Sequence, residues 1–356
     1  MARLTAKSIR AADKSAMFAK ILEFPEQLVK GWTIAGRIRN PVQFEKIENI
    51  VFSGMGGSAI AGDMVKAVLG RDLRVPMVVN RGYALPAFAG ERTLFIASSY
   101  SGGTEETVSA AEQAVRCGCR VACVSAGGKI GELAVAGRFP WYPLPPGYPP
   151  RSALGFSLGV LLRMFHAFGV WTGSGRILED AAAFIAGEGR ALADLKRKDN
   201  PAVSLARRLS GKFPLIYAAV DSLEPVGFRW KCQFNENAKM HAGFIPLPEM
   251  NHNEIVAWKR LAADRTFYPA LSAVLLRSPD EHPRIRLRME TTRELILKNR
   301  GRAVSVFGRG SSPLEQMLYL IHLGDVTSLY LAALNGVDPT EIDNIQHLKK
   351  TLSRQG

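Results

Sequence analysis

At roughly 150 residues per domain, a chain of 356 residues accommodates two domains. Its 47% hydrophobic and 22% charged residues exclude a disordered or collagen-like chain. Its 46 Lys and Arg against 32 Asp and Glu leave +14, which suits an anionic partner (nucleic acid, membrane lipid or a phosphorylated metabolite) or simply a basic proteome. In chain order, residues 1–46 read as a basic helical segment. Met17, Phe18, Ile21 and Leu22 fall at helical spacing, and Pro25 interrupts the pattern. Strands are expected at Asn49–Ser53, Val75–Val79, Thr93–Ala97, Arg120–Val124 and Phe139–Leu144, with helices at Ala59–Leu69 and Glu105–Arg116. The five prolines of Trp141–Pro150 form a stiff connector, which neither a helix nor a central strand tolerates. Helices follow at Ser152–Val170, Ile177–Lys196 and Pro201–Ser210. Alternation restarts with strands at Pro214–Ala218, Gly243–Leu247, Ala270–Leu276 and Ala303–Phe307. Helices are expected at Pro225–Met240, His252–Lys259, Glu281–Asn299, Leu314–Leu334 and Glu341–Ser353. Strands alternating with helices predict βαβ units, hence an α/β protein with two parallel-sheet halves of similar grammar.

Two Gly/Ser loops fall at expected strand ends, each opening a helix: Gly54–Ser58 (GMGGS) and Ser98–Thr104 (SSYSGGT). In parallel sheets ligands bind outside the carboxyl ends of the strands, and a helix N-terminus with glycine-exposed N–H groups favours an anion. Gly56, Gly57, Ser58, Ser99, Ser101 and Thr104 are therefore candidate phosphate ligands, against the plainer reading that Gly-Ser loops only turn the chain. The first loop lacks the Lys of a nucleotide-triphosphate loop and the G-x-G-x-x-G spacing of a dinucleotide loop. Hydroxyls and backbone N–H groups without a metal suit a sugar monophosphate.

Cys117, Cys119, Cys123 and Cys232 form no C-x-x-C pair. They read as reduced thiols of a cytoplasmic protein rather than as zinc or redox sites. Met1–Lys20 has no apolar block of a secretory signal, and no run of about 18 apolar residues predicts a membrane span. Basic clusters at Lys196–Lys198, at Arg207, Arg208 and Lys212, and across Arg277–Arg309 lack interleaved aromatics and a binding motif, so no specific nucleic-acid partner is expected.

The two loops, with Asp63 and Ser99–Thr107 (SYSGGTEET), resemble the sugar isomerase (SIS) domain. Pro150–Ala153 (PRSA), Phe234–Lys239 (FNENAK) and Pro248–Trp258 (PEMNHNEIVAW) narrow the resemblance to the bifunctional phosphoglucose/phosphomannose isomerases, from about residue 47 to the C-terminus. Gly103 stands where that family usually has Asn and Ala59 where Gly is common; Gly103 would loosen the loop and remove one donor. The resemblance implies two flavodoxin-like SIS subdomains: residues 1–46 as an N-terminal helical segment, 47–150 as the first SIS domain, 151–212 as a helical connection and 213–356 as the second.

It further implies a homodimer that interconverts an aldose 6-phosphate with fructose 6-phosphate, needing no metal or other cofactor. Such chemistry requires a base reaching C1 and C2, a cation for the enediolate, and acid/base help for ring opening. By resemblance Glu236 is the base, Arg151 the enediolate-stabilising cation, His252 a ring-opening group donated to the neighbouring subunit's site, and Lys349 (with Lys350 beside it) the C-terminal helix lysine. Read locally, Glu236 and Arg151 could equally be surface charges, His252 a loop histidine, and Lys349 part of a solvated charge run. His166 and His322, in apolar helices, read as core or interface residues. A competing reading is a non-catalytic SIS-type sugar-phosphate-binding regulator, which would keep the loops without the Glu, Arg and His set. The 46-residue N-terminal segment is short for an added DNA-reading module.

Overall fold

The computed structural model describes residues 4–39, 42–259 and 266–354; the few remaining positions of the expected N-terminal segment lie outside them. Three helices open the chain: α1 (Ala6–Ala12), α2 (Met17–Leu22) and α3 (Phe24–Gly36). Pro25 sits in the first turn of α3, where its missing N–H costs nothing, so it starts a helix rather than merely breaking one.

The first sheet comprises β1 (Asn49–Ser53), β2 (Met77–Asn80), β3 (Thr93–Ser98), β4 (Arg120–Ser125) and β5 (Trp141–Pro143). Its helices are α4 (Gly56–Leu69), α5 (Glu105–Arg116) and α6 (Gly128–Gly137). A helical layer follows, with α7 (Leu154–Ala167), α8 (Gly175–Ala193) and α9 (Pro201–Leu209). The second sheet has β6 (Phe213–Ala219), β7 (Gly243–Leu247), β8 (Leu271–Arg277) and β9 (Ala303–Phe307). It is interleaved with α10 (Glu224–Ala238), the single turn α11 (Phe267–Ala270) and α12 (Pro283–Lys298), then α13 (Pro313–Asn335) and α14 (Asp343–Leu352).

Both sheets are parallel throughout. The first has the order β2-β1-β3-β4-β5 and the second β7-β6-β8-β9, the same winding shortened by one strand. This is the flavodoxin-like order, whose crevice opens where the winding reverses, between β1 and β3.

Alternate residues of each strand serve different cores, as the period-2 geometry requires. Ile50, Phe52, Leu94 and Ile96 of the first sheet and Ile216, Ala218, Val274 and Leu276 of the second face one shared core. The helices α3, α4, α7, α8, α9, α10 and α13 fill it. Val51, Phe95, Ala97 and Cys123 pack outward on α5 and α6, and Tyr217, Ala273 and Leu275 pack on α12 and on Met250, Trp258 and Tyr268. The two sheets thus sandwich one helical layer. Within it α3 and α7 approach so closely that a Cβ on Gly159 would stand 2.2 Å from the carbonyl oxygen of Leu28. Helix α13 is apolar and long enough to cross a membrane by composition, but 94% of its most apolar window is buried here as a core helix.

Most expected elements form within a few residues of their predicted bounds. Strand β2 begins two residues late, because Pro76 has no N–H for the ladder and only its carbonyl accepts, from Ile50. Helix α6 was not expected: Gly128, Gly131 and Gly137 hide its periodicity, and Gly131 is where the Trp141 ring rests on the helix. The helix expected at His252–Lys259 is instead two 3₁₀ turns, Glu249–His252 and Glu254–Trp258. They break at Asn253, whose side chain caps the second. Arg151 lies not in the long helix but in a 3₁₀ turn, Pro150–Ser152, just before α7.

His322 is fully buried on α13, stacked on Phe24 with ring centroids 5.9 Å apart, and neither ring nitrogen has a protein partner. Burial, with Arg229 nearby, pushes its pKa from 6.5 down to about 4. The unfolded chain therefore binds the proton first. This contribution is intact above pH 6.5 and is lost as the pH falls toward 4, by up to about 1.4 kcal/mol per pH unit. His322→Leu should flatten that acid dependence in urea titrations run between pH 7 and pH 4. Parallel curves for both proteins would show that His322 does not cause it.

Candidate active site

Ser58 and the 99–104 loop meet at the crevice of the first sheet. Gly56 and Gly57 open α4 directly after β1, leaving the first N–H groups of the helix without intrahelical partners. Ser58 Oγ accepts from Tyr100 N–H at 3.2 Å, tying the first loop to the second. Ser99 and Thr104 hydroxyls share a hydrogen bond of 2.8 Å, and Ser99 Oγ also accepts from Gly102 N–H at 3.1 Å. Ser58 and Ser99 are buried and shape the cradle, whereas Ser101 is exposed and Thr104 half-buried at the N-cap of α5. A Cβ on Gly103 would meet nothing, so no packing demands glycine there.

The connector brings Arg151 to this cradle. A Cβ on Gly57 would lie 3.1 Å from the carbonyl oxygen of Pro150 and 3.3 Å from Arg151 Cα, so glycine lets the two backbones touch. The connector is itself fixed: Tyr100 Oη donates to the Pro145 carbonyl, Tyr148 Oη to Glu23, and Gln27 Nε2 to the Ser152 carbonyl.

Helix α10 packs on α4 and carries Glu236 in its last turn. Glu236 Oε2 accepts from Arg151 Nη1 at 3.3 Å. The guanidinium side chain is 4% exposed and the carboxylate 31%, so the cation is enclosed while the carboxylate can be reached. Arg151 Nε donates to Asn237 Oδ1 at 2.7 Å, and Nη2 donates to the carbonyls of Pro339 and Thr340. Burial lowers the Arg151 pKa, and the Glu236 charge opposes that.

Lys239 completes the surround. Held in the left-handed region at φ 51°, it caps α10, and its Nζ donates to the carbonyls of Glu236, Asp338 and Glu341 at 2.7–2.8 Å. Arg151 and Lys239 thereby clamp the 338–341 turn from two sides. Beside Glu236 a recess of about 540 Å³ opens between the end of α10 and the start of α14. A larger cleft of about 940 Å³ lies toward the edge strands β2 and β7. There Asp63 pairs with Arg81, and burial pushes the Asp63 carboxyl up. Asp63 is thus engaged away from the hydroxyl cradle.

Two expected site residues are elsewhere. His252 is exposed in the 3₁₀ turn after β7 and does not line the Glu236 recess. Lys349 and Lys350 are exposed on α14, whose first turn, not its last, borders the recess. Conversely, Arg229, Ser328, Asp325 and the 338–341 carbonyls were not singled out by sequence. Asn237 and Lys239 were present only as neighbours of Glu236 in FNENAK. Among the described residues no three His, Cys, Asp or Glu side chains group as metal ligands.

Residues 198–352 match the family model of the bacterial phospho-glucose isomerase C-terminal SIS domain. The chain is 36% identical over 345 residues to the bifunctional phosphoglucose/phosphomannose isomerase of Caldicellulosiruptor bescii, covering 95% of this chain and 99% of that protein. It is 34% identical over 308 residues to the protein of the same name from Aquifex aeolicus, covering 86% and 91%. The C-terminal domain of glucosamine-fructose-6-phosphate aminotransferase from Francisella tularensis shares its fold, with a TM-score of 0.73 at 14% identity over 92% of this chain and 98% of that one. With a carboxylate and a guanidinium paired beside a hydroxyl-lined loop, and with relatives matched over nearly their whole length, this chain belongs to the bifunctional phosphoglucose/phosphomannose isomerase family.

Proposed function

We propose that the protein interconverts glucose 6-phosphate and mannose 6-phosphate with fructose 6-phosphate. The observation that carries this reading is the Arg151–Glu236 pair, 3.3 Å apart, set against the Gly57 end of α4. In the reaction Glu236 removes the C2 proton of the open-chain aldose. The C–H electron pair becomes the C1=C2 bond, and the carbonyl oxygen at C1 takes the negative charge. Arg151 supplies a fixed, enclosed cation for that charge, where it need not reorganise. Glu236 then returns its proton to C1, while the hydroxyl proton at O2 passes to O1 and leaves the ketose. The phosphate is assigned to the N–H groups of Gly56 and Gly57 and to the hydroxyls of Ser58, Ser99, Ser101 and Thr104. A regulator that only binds sugar phosphate would need that cradle alone; the paired base and cation favour turnover.

Ring opening is assigned to His252, donated by one subunit of a homodimer to the site of the other, and to Lys349 on α14. The exposure of His252 away from Glu236 in its own chain supports this arrangement. All four cysteines are free, and burial pushes the Cys119 and Cys123 thiols up to about 11 and about 12. These features support a reducing compartment such as the cytoplasm.

Glu236→Gln should lower kcat by roughly 10²–10⁴ while leaving inorganic phosphate binding in place. A wild-type protein that forms no fructose 6-phosphate from either aldose phosphate would refute the reading. Sharing of His252 is checked by mixing two inactive variants, Glu236→Gln and His252→Ala. Half of randomly reassembled dimers are hybrids with one intact site of two, so about a quarter of wild-type activity should return. No recovery from verified hybrids would place His252 in its own chain's site.

A further inference from the structure

Arg151 is held from two directions by buried polar groups that converge on one residue, Asp325 of α13. Its carboxylate binds Arg229 with both oxygens, at 2.9 Å from Nε and 2.6 Å from Nη2, and the two side chains are 3% and 2% exposed. Gln233 Nε2 adds a third donor to Oδ1 at 2.8 Å. The same Arg229 Nη2 donates to the backbone carbonyl of Arg151 at 2.8 Å.

A second arm reaches the Arg151 side chain. Ser328 Oγ donates to the Asp325 carbonyl at 2.6 Å and accepts from Asn237 Nδ2 at 2.9 Å. Asn237 Oδ1 in turn accepts from Arg151 Nε at 2.7 Å. Asn237 follows Glu236 in the last turn of α10, so one anchor serves the turn that carries the base and both ends of the cation.

An isolated buried ion pair is weak support for stability, because desolvation offsets its attraction; apolar side chains of similar size often do as well. What such a network does supply is direction, since each member is satisfied in only one arrangement. Two guanidinium groups also approach each other here, and Arg229 disfavours the charged form of Arg151. The Asp325 carboxylate counters Arg229 and lets it sit behind Arg151.

We infer that this buried network positions the site. The Asp325 carboxylate fixes the Arg151 main chain through Arg229, and Ser328, seated on the Asp325 backbone carbonyl, fixes through Asn237 the angle at which the guanidinium meets Glu236. The inference rests on the isomerase reading for what Arg151 stabilises, but the positioning can be measured without turnover.

The test compares wild type, Ser328→Ala and Asp325→Asn. Ser328→Ala breaks one arm without leaving a buried charge, and Asp325→Asn keeps the shape and removes the charge. For each, kcat and KM are measured with fructose 6-phosphate. Binding is measured for inorganic phosphate and for a five-carbon aldonate 5-phosphate, whose carboxylate imitates the enediolate. Displacing a reacting group by about 1 Å can cost 10²-fold, so a loss of at least about tenfold in kcat is expected. The aldonate should weaken in parallel, with KM and phosphate binding within about twofold of wild type.

Folded variants with wild-type kcat and aldonate affinity would overturn the inference, as would equal loss of aldonate and phosphate binding. If Asp325→Asn fails to fold, Ser328→Ala decides alone. A wild type with no turnover, whose aldonate binding still falls selectively in Ser328→Ala, would sink the isomerase reading and leave the positioning standing.

Discussion

One enclosed guanidinium holds this molecule's site together. Arg151 touches Glu236 and Asn237 on α10, the carbonyls of the 338–341 turn and, through its backbone, Gly57 at the start of α4. These contacts join the first sheet's loop, the second half's first helix and the chain just beyond α13. A charge so enclosed is tolerable only because four acceptor groups meet it, and each belongs to an element that must already be in place. The requirement runs both ways: the fold places the arginine, and the arginine admits only one placement of the fold around it.

The winding explains why the cradle belongs to the first sheet. Both halves have the same strand reversal, and the loops after β1 and β3 of the first are built of glycine and hydroxylated residues, Gly54–Ser58 and Ser98–Thr104. After β8 the corresponding space is occupied. Arg277 pairs with Glu281, and Ser278 and Asp280 bind Gln316 of α13. The second half contributes a helix end whose Glu236 carboxylate meets Arg151 beside Gly57 of the first loop.

Much of this was legible in the sequence. The strands follow from short apolar runs with turn residues at their ends, and Asn49–Ser53 forms to the residue. Gly57 and Ser58 announced the first loop, and FNENAK carried Glu236, the partner of Arg151, together with its neighbours. What escaped notice depends on long-range pairing. Nothing near Asp325 in a helix as apolar as α13 says that its carboxylate meets Arg229, 96 positions earlier. Carbonyl oxygens leave no mark in a residue pattern, so the 338–341 turn could not be seen as a ligand of Arg151. His252 and Lys349 are a different case: the sequence singled them out, and in this chain both are exposed and do not line the Glu236 recess.

The contact between Arg151 and Pro339 spans 188 positions of sequence. On the ribosome, an N-terminal half that has already wound its sheet still lacks the oxygens that seat its own arginine. Those oxygens follow 85 to 189 positions later in synthesis. The full set of acceptors around Arg151 is therefore assembled only once Thr340 has joined the fold. A half-made chain leaves this guanidinium short of acceptors, so its enclosure is a property of both halves together.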